Sequence, residues 1–348
     1  MVTRVPAAVL AEYLERLYRA TGMSNGAART MAAAHVEADL RGIPGHGSRL
    51  APAYLAKLRD GRLNPRPEMT VRHDAGACLV LDADLAPGPV AARRATEASA
   101  ERARRHGAGL VIVHRAGHAG ALGITASQAA GQGMIVVVAV PSSSASVALL
   151  GGTGTPLMGN SALAVALPGS LPGQPVVLDM AAASTSWGRV QQHARDGLGL
   201  PDGLALDATG QPTRDPRKAA VLLPVGERAQ AAAITLQVLL SVLAGTASLP
   251  DGTEGRLLLS LAVDPARLGV AAVSAAVNTV SGTVRGNGAR MPGDRGWAHR
   301  ASALRNGIEV DDSDLAALIA VGHPDTPAPP GFTRFQRKPV TPRKETPP

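Results

Sequence analysis

The chain has 348 residues, enough for one large domain or two smaller ones with a substantial apolar core. Hydrophobic residues make up 45% and charged residues 18% of the sequence, which excludes an intrinsically disordered or low-complexity protein. The single cysteine, Cys78, excludes a disulfide framework and a metal site built from several thiolates. The nine histidines also lack the spacing of metal ligands, so we expect no metal.

The charge and hydropathy patterns limit the expected partners. No apolar run reaches the roughly 18 residues that a membrane span needs. Acidic residues interrupt the apolar N-terminal stretch, a poor secretory signal, and we expect a cytoplasmic protein that contacts no membrane. Half of the formal net charge of +8 lies in residues 331–348, and we expect residues 323–348 to be a flexible, Pro-rich basic tail. Basic residues elsewhere are not interleaved with aromatic ones, so nucleic acid is not an expected partner.

Apolar periodicity predicts a helical N-terminal quarter. Leu10, Leu14 and Leu17 recur at three- and four-residue spacing, and Gly22 ends the pattern. Two more helices are predicted, at residues 27–40 and 51–59. The sequence then changes to short β-rich apolar runs bounded by Gly or Pro, at residues 77–81, 110–113, 134–140, 162–167 and 176–178. An alanine-rich helix is predicted between the first two runs, at residues 90–106.

The C-terminal part continues the mixture of helices and strands. Helices are predicted at residues 229–245, 265–280 and 313–321, and a strand at residues 256–262. Residues 282–296 are rich in glycine and too polar for a core, which predicts a loop. Together these elements predict an α/β protein.

Standard cofactor and catalytic signatures are absent from the sequence. The nearest approach to the G-x-G-x-x-G fingerprint, Gly152-Thr153-Gly154, fails at its third glycine, and there is no P-loop, G-x-S-x-G or H-E-x-x-H. Two histidines lie beside glycines at predicted element ends, His46 in G-H-G and His118 in G-H-A-G. An accessible imidazole can exchange a proton with a carbonyl near neutral pH, so His118 is a catalytic candidate. A hydrogen-bonded loop histidine is the alternative.

Several short motifs follow one another along the chain between about residue 5 and residue 322. They are A-D-L-R-G-I at 38–43 with His46-Gly47, R-D-G-R-L-N-P at 59–65, A-G-H-A-G at 116–120, L-D-M-A at 178–181, P-D-G-L-A-L-D at 201–207, P-G-D at 292–294 and Gly307-Ile308. In this order the chain resembles the malate/L-lactate dehydrogenase family, which is unrelated to the Rossmann dehydrogenases. Members of that family also act on diketogulonate, sulfolactate, ureidoglycolate or cyclic imino acids.

The resemblance implies an overall architecture. It implies an α/β, non-Rossmann malate/L-lactate dehydrogenase-like fold with a largely helical domain formed by N- and C-terminal segments. Residues 1–75 would be the helical N-terminal part of that domain, and residues 76–250 the α/β cofactor- and substrate-binding domain. Residues 251–322 would be the C-terminal segment that completes the fold. The resemblance also implies a homodimer that acts on a small-molecule substrate.

The resemblance further implies roles for individual residues. His118 would exchange a proton with the substrate oxygen while NADH or NADPH exchanges a hydride, and His46 would line the substrate side. Cofactor contacts would come from Ser143, Asp179, Met180, Ala181 and Arg228. Arg228 stands where the family has a lysine and keeps the positive charge that suits phosphate oxygens.

The chain departs from the family pattern on the substrate side. Leu50 stands where the family has the arginine that grips the substrate carboxylate, and Arg49, three residues after His46, is the nearest replacement. Trp187 stands in the segment that corresponds to the family's A-R-G-K, and Ala119 replaces a phenylalanine. We therefore expect His46, Arg49 and Trp187 to face the substrate.

Two functions are compatible with this pattern. The first is NAD(P)H-dependent reduction of a ketone or imine of a small metabolite, or oxidation of the matching alcohol or amine, with His118 as proton donor and acceptor. The alternative is a family member that has lost hydride transfer and performs non-redox acid/base chemistry in a specialised biosynthetic pathway. The changes at Leu50, Ala119 and Glu227 are the reason for keeping the alternative open.

Overall fold

The computed structural model describes residues 2–142, 144–171, 173–245, 256–270, 272–322, 329 and 332. The predicted cofactor residue Ser143 lies outside the described residues, as does nearly all of the predicted tail at 323–348.

The described residues form helices and strands in alternation. The α-helices are α1 (Ala7–Ala20), α2 (Asn25–Leu40), α3 (Ala51–Arg59), α4 (Gly88–His106), α5 (Leu122–Ala130), α6 (Trp187–Asp196), α7 (Gly226–Ala244), α8 (Val273–Gly286), α9 (Asp294–Asn306) and α10 (Asp312–Ala320). The strands are β1 (Val2–Val5), β2 (Thr70–Ala75), β3 (Cys78–Asp82), β4 (Ala108–Ala116), β5 (Ile135–Val140), β6 (Val147–Ala148), β7 (Pro156–Met158), β8 (Ala162–Leu171), β9 (Gln174–Ala181), β10 (Ala205–Leu206), β11 (Val221–Leu222), β12 (Arg256–Val263) and β13 (Ile308–Asp311). Short 3-10 helices cover Pro44–His46, Ser48–Leu50 and Pro265–Leu268.

The main sheet has seven strands in the order β2-β3-β4-β12-β5-β8-β9. β3 and β4 run parallel, and α4 supplies the crossover that a parallel pair needs. The other neighbouring pairs are antiparallel. Because β4 lies inside the sheet, its C-terminal part pairs on both sides, His114 with Asp82 of β3 and Ala116 with Arg256 of β12.

Small side chains fill the core of the main sheet. α4 buries six alanines against β4 and β12, and valines from β4 and β5 complete the same cluster. The hydroxyls of Ser99 on α4 and Ser260 on β12 form a buried hydrogen bond of 2.9 Å. This packing explains how a chain with 2% aromatic residues builds a closed core.

A second core joins the two ends of the chain. Helices α1, α2, α3 and α10 pack around shared apolar residues, and β1 pairs antiparallel with β13 from Val2 opposite Asp311 to Val5 opposite Ile308. A small sheet in the order β10-β11-β6-β7 packs with α6 and α7 in a third cluster. No helix among the described residues is long and apolar enough to cross a membrane.

The loop predicted at residues 282–296 is wrong at both ends. α8 continues to Gly286 and α9 begins at Asp294, so only the residues between them form a connection. A glycine in a helix costs about 1 kcal/mol relative to alanine, but α8 packs on β8, and this tertiary contact overrides the local preference. A 2.6 Å ion pair between Arg285 and Asp294 joins the two helices.

Candidate active site

His118 lies just beyond the end of β4, in a tightly fixed loop. The N–H of Gly117 donates to the carbonyl of Ala86 at 2.9 Å, which ties the loop to the segment before α4. At the start of α4, a Cβ atom on Gly88 would lie 2.0 Å from the carbonyl oxygen of His118, so only glycine allows this close approach. The local sequence thus determines where the imidazole leaves the sheet.

The structure brings the two predicted histidines together. The rings of His46 and His118 are stacked, with centroids 5.5 Å apart and planes 12° from parallel. The hydroxyl of Tyr54 on α3 lies 2.7 Å from Nδ1 of His118 and 2.5 Å from its carbonyl oxygen. Nε2 of His118 makes no hydrogen bond within the described part of the chain.

The loop that carries His46 is held by polar groups on α2. The Oδ2 atom of Asp39 accepts a hydrogen bond from the N–H of Ser48 at 2.8 Å. A Cβ atom on Gly47 would lie 1.7 Å from Oδ1 of the same carboxyl group, so the turn requires glycine. Nδ1 of the buried His35 lies 3.1 Å from the carbonyl oxygen of His46.

Burial and nearby cations govern the charge of these histidines. Burial lowers the pKa of His118 well below its ordinary value of 6.5, and electrostatic interactions with His46, Arg256, Lys57 and His35, which all disfavour a charge on the ring, lower it further. Burial also lowers the pKa of His46. Both rings are therefore neutral at neutral pH, and a negative charge that develops beside them would favour their protonation.

Asp179 connects β9 to the same region. Its Oδ2 atom accepts a hydrogen bond of 2.8 Å from the N–H of Gly123 at the start of α5, four residues beyond Ala119. The residue is exposed by area, yet its carboxyl group lies against α5, and this loss of water raises its pKa to about 6. The hydrogen bond from Gly123 and the charge of Arg41 oppose the shift. On the same strand, Met180 is exposed and Ala181 is partly buried.

Arg49 and Trp187 form a second group. Arg49 donates to the carbonyl oxygen of Gly188 at 3.3 Å and to Oε1 of Gln191 at 2.8 Å, both on α6. Its Nε atom also lies 3.8 Å from a carboxylate oxygen of Asp314 on α10. Trp187, at the start of α6, packs partly buried on the cluster around the small sheet. Arg49 therefore connects the His46 loop to the helix that begins with Trp187.

Leu50 and Arg228 are two further positions at which the chain departs from the family pattern. Leu50 packs against the helical core, which explains why a leucine is accommodated there. Arg228 is exposed in the first turn of α7, and within the described residues it forms no hydrogen bond or ion pair.

Tyr54, His35 and Arg256 are candidate site residues that sequence reasoning missed. The chain has only three tyrosines, and two of them, Tyr18 and Tyr54, contact histidines. The rarity of tyrosine was the sequence signal that could have singled them out. Arg256 is the first residue of β12 and pairs across the sheet with Ala116, two residues before His118.

Among the described residues, no group of three or more His, Cys, Asp or Glu side chains is arranged to hold a metal ion.

The comparisons with known proteins agree with this architecture. An L-sulfolactate dehydrogenase of Methanothermobacter thermautotrophicus is 29% identical over 301 residues, covering 82% of this chain and 86% of the relative. A ureidoglycolate dehydrogenase (NAD(+)) of Escherichia coli K12 is 32% identical over 247 residues, covering 70% of this chain and 69% of the relative. The crystal structure of delta1-piperideine-2-carboxylate reductase from Pseudomonas syringae pvar. tomato superposes with a TM-score of 0.80 at 27% identity, covering 92% of this chain and 100% of that one.

These relatives are dehydrogenases and reductases of small metabolites, and the predicted fold class is confirmed. The family model described as malate/L-lactate dehydrogenase matches residues 5–319, which include both glycine-flanked histidines and both terminal segments of the helical core. The chain therefore belongs to the malate/L-lactate dehydrogenase family, as its ordered motifs predict.

Proposed function

We propose that this protein is an NAD(P)H-dependent oxidoreductase that reduces a ketone or imine of a small metabolite, or oxidises the matching alcohol or amine. The observation that carries the proposal is the stacked pair of His46 and His118 at the end of β4, with Tyr54 behind it. The relatives support it, since they are named as two dehydrogenases and a reductase.

The role proposed for His118 follows from its charge state. Because burial and neighbouring cations depress its pKa, the neutral ring can accept a proton from a substrate alcohol. In the direction of reduction, the protonated ring is a stronger acid than free imidazole. It then donates readily to the oxygen or nitrogen on which negative charge develops.

The residues present fit a nicotinamide dinucleotide. Nδ1 of His46 and Oγ1 of Thr185 are buried without a partner among the described residues, and buried polar atoms are stabilised by a hydrogen-bonding ligand. The N–H of Ser184 donates to the carbonyl of Leu223, which places Thr185 near the turn leading to α7 and the exposed Arg228. We propose that the cofactor is held by Ser143, Asp179, Met180, Ala181 and Arg228. The chemistry that it supplies when bound is hydride exchange.

The substrate is proposed to lie against residues from both parts of the chain. In this proposal residues 76–250 bind cofactor and substrate, while residues 1–75 and 251–322 complete the fold and the first of them contributes His46 and Arg49. The hydrogen bonds from Arg49 to Gly188 and Gln191 fix the position of α6, the helix that begins with Trp187. Because Leu50 has no charge, we propose a larger or non-carboxylate ketone or imine as substrate.

A substrate panel tests the proposed function. Ketones, cyclic imines and 2-oxo acids are incubated with the protein and either NADH or NADPH, and the loss of reduced nicotinamide absorbance is recorded. We expect oxidation of one cofactor with at least one ketone or imine, and little with simple 2-oxo acids. A preference for small 2-oxo acids would contradict the substrate class, and no oxidation with any compound would contradict the reductase proposal.

We also propose that the protein is a homodimer and that α7 contributes to the interface. Ile234, Val238 and Val242 recur every fourth residue on this helix and are 36%, 56% and 69% exposed. Such an uncharged apolar stripe is typical of a surface covered by a second copy.

The double substitution Val238→Glu with Val242→Glu is expected to convert the dimer to a monomer, because it introduces like charges into the proposed contact. Light scattering after size-exclusion chromatography measures the mass directly. Val71→Glu, at an exposed apolar residue on β2, is the control and should leave the dimer intact. A double variant that stays dimeric would place the interface elsewhere.

A further inference from the structure

Tyr54 lies directly behind His118, the proposed acid/base. It lies on α3, is 3% exposed, and packs in the helical core with Leu55 and Leu58. Its hydroxyl reaches out of that core to two atoms of His118, the Nδ1 nitrogen at 2.7 Å and the carbonyl oxygen at 2.5 Å. A buried tyrosine from one core thus contacts the histidine at the end of a strand in the other.

Hydrogen accounting assigns the direction of these two bonds. A phenol has one hydrogen to donate, and a carbonyl oxygen can only accept. Two oxygens this close need a hydrogen between them, and only the phenol has one, so the phenol donates to the carbonyl oxygen of His118. Its own oxygen then accepts a hydrogen bond from Nδ1–H of the same residue. The N–H of Gly120 points at Nδ1 from 3.4 Å and would favour an unprotonated nitrogen, but this contact is longer than an ordinary hydrogen bond. The 2.7 Å contact with the Tyr54 hydroxyl is much the stronger of the two and decides the assignment.

The remaining contacts of the His118 ring point to the same arrangement. His46 covers one face of the ring, and Tyr54 engages its Nδ1 edge. Nε2 makes no hydrogen bond in the described part of the chain and is not among its buried unpartnered atoms. The neutral ring therefore carries its proton on Nδ1, and the lone pair of Nε2 has no partner among the described residues.

We propose that Tyr54 is a positioning residue that holds His118 in the Nδ1–H tautomer, so that Nε2 is the atom that exchanges a proton with the substrate. The inference rests on the proposed function for its catalytic consequence. The tautomer itself is a property of the protein alone. Isolated imidazole does not enforce this tautomer, and a histidine with its proton on the wrong nitrogen cannot act as a base toward the substrate.

The experiment compares Tyr54→Phe with Tyr13→Phe. Tyr13 is the matched control, because its hydroxyl is also buried in the helical core but has no hydrogen-bond partner among the described residues. We expect Tyr54→Phe to lower kcat about 10- to 100-fold, the effect that removal of the hydrogen-bond partner of a metal-binding histidine typically has on activity. Tyr13→Phe should leave kcat unchanged, and neither variant should change KM or nucleotide affinity by more than a factor of about two.

The pH profile separates positioning from a purely structural role. The phenol oxygen stabilises the protonated His118 ring by accepting from Nδ1–H, so its loss should move the acid limb of kcat/KM to lower pH. The other groups that set this limb are His46 on its loop, Lys57 on α3, Arg256 on β12 and His35 on α2, and none of them is altered. An unchanged profile, or an equal loss in Tyr13→Phe, would overturn the proposal.

A spectroscopic measurement keeps the test independent of activity. In NMR spectra of protein with isotope-labelled histidine rings, His118 should show a protonated Nδ1 and an unprotonated Nε2. In Tyr54→Phe the proton should redistribute toward Nε2. If wild-type His118 already carries its proton on Nε2, the proposal for Tyr54 is wrong even if the protein is a reductase. If the tautomer is as stated but no substrate is reduced, only the proposed function fails.

Discussion

Replacing His118 with Ala is expected to lower turnover by about 10²- to 10⁴-fold while leaving nucleotide affinity largely unchanged. The imidazole is the proposed source and acceptor of the proton, and the atoms that hold it belong to the loop backbone and to Tyr54 rather than to the proposed cofactor residues. Its removal therefore takes away the proton transfer without removing the cofactor contacts.

The comparison needs a histidine outside the site. His114 lies on the same strand and interacts electrostatically with Arg72 and Asp82 near the sheet edge, so His114→Ala controls for the loss of an imidazole from β4. Steady-state kinetics and calorimetric titration with the nucleotide are measured on both variants. Unchanged turnover in His118→Ala, or an equal loss in His114→Ala, would show that His118 is not the acid/base.

The second large effect is on stability, and it concerns His35. Nε2 of His35 accepts a 2.7 Å hydrogen bond from Tyr18, and Nδ1 donates to the carbonyl of His46. Burial of this 2%-exposed side chain lowers its pKa to about 4 from an ordinary 6.5. The neutral ring thus stabilises the His46 loop through the hydrogen bond to its backbone.

The direction of the pH effect follows from this depressed pKa. Below pH 6.5 the unfolded chain takes up a proton at His35 while the folded protein does not, until the pH falls to about 4. The stability contributed by the neutral ring is present above pH 6.5 and is lost as the pH falls through this window. For a shift from 6.5 to about 4, the loss near pH 4.5 is roughly 2 to 3 kcal/mol.

His35→Gln isolates this contribution. Glutamine can accept from Tyr18 and donate to the carbonyl of His46, but it does not titrate. We expect the free energy of unfolding of the variant, measured relative to wild type, to rise by roughly 2 to 3 kcal/mol between about pH 7.5 and about pH 4.5. Burial raises the pKa of Asp39 to about 7 and gives an opposite dependence, but it acts equally in both proteins and cancels. A difference that does not change with pH would contradict the role of the neutral His35 ring.

The elements predicted best are those with a strong local period. The alanine-rich helix predicted at 90–106 is α4, and the five β-rich runs all lie on strands of the main sheet. β1 escaped prediction because its partner, β13, is more than three hundred residues away in sequence. α9 escaped because it follows glycines and has only one buried side chain, Ala303.

The candidate site was predictable only in part. Glycine flanks marked His46 and His118, and the structure stacks them. The partners that orient them, Tyr54 and His35, lie on helices where an aromatic or imidazole ring reads as ordinary core. Arg49 shows the converse limit, because its spacing from His46 was visible while its bonds to α6 depend on tertiary structure.

The fold shows where two of the residues that depart from the family pattern are packed. Leu50 packs in the helical core and Ala119 in the core of the main sheet. Both changes therefore remove a large or charged side chain without leaving a buried polar group. They leave the imidazole pair in place, which is why we favour an altered substrate over lost catalysis.

Nucleotide binding tests the central claim most directly. The purified protein is titrated separately with NADH and with NADPH, and binding is measured by calorimetry and by the shift in thermal unfolding. A nucleotide at a hundred times its Kd stabilises the folded protein by ~2.7 kcal/mol, and we predict this shift for at least one of the two. A well-folded protein that binds neither nucleotide would contradict the reductase proposal and leave non-redox acid/base chemistry around His118 as the function to pursue.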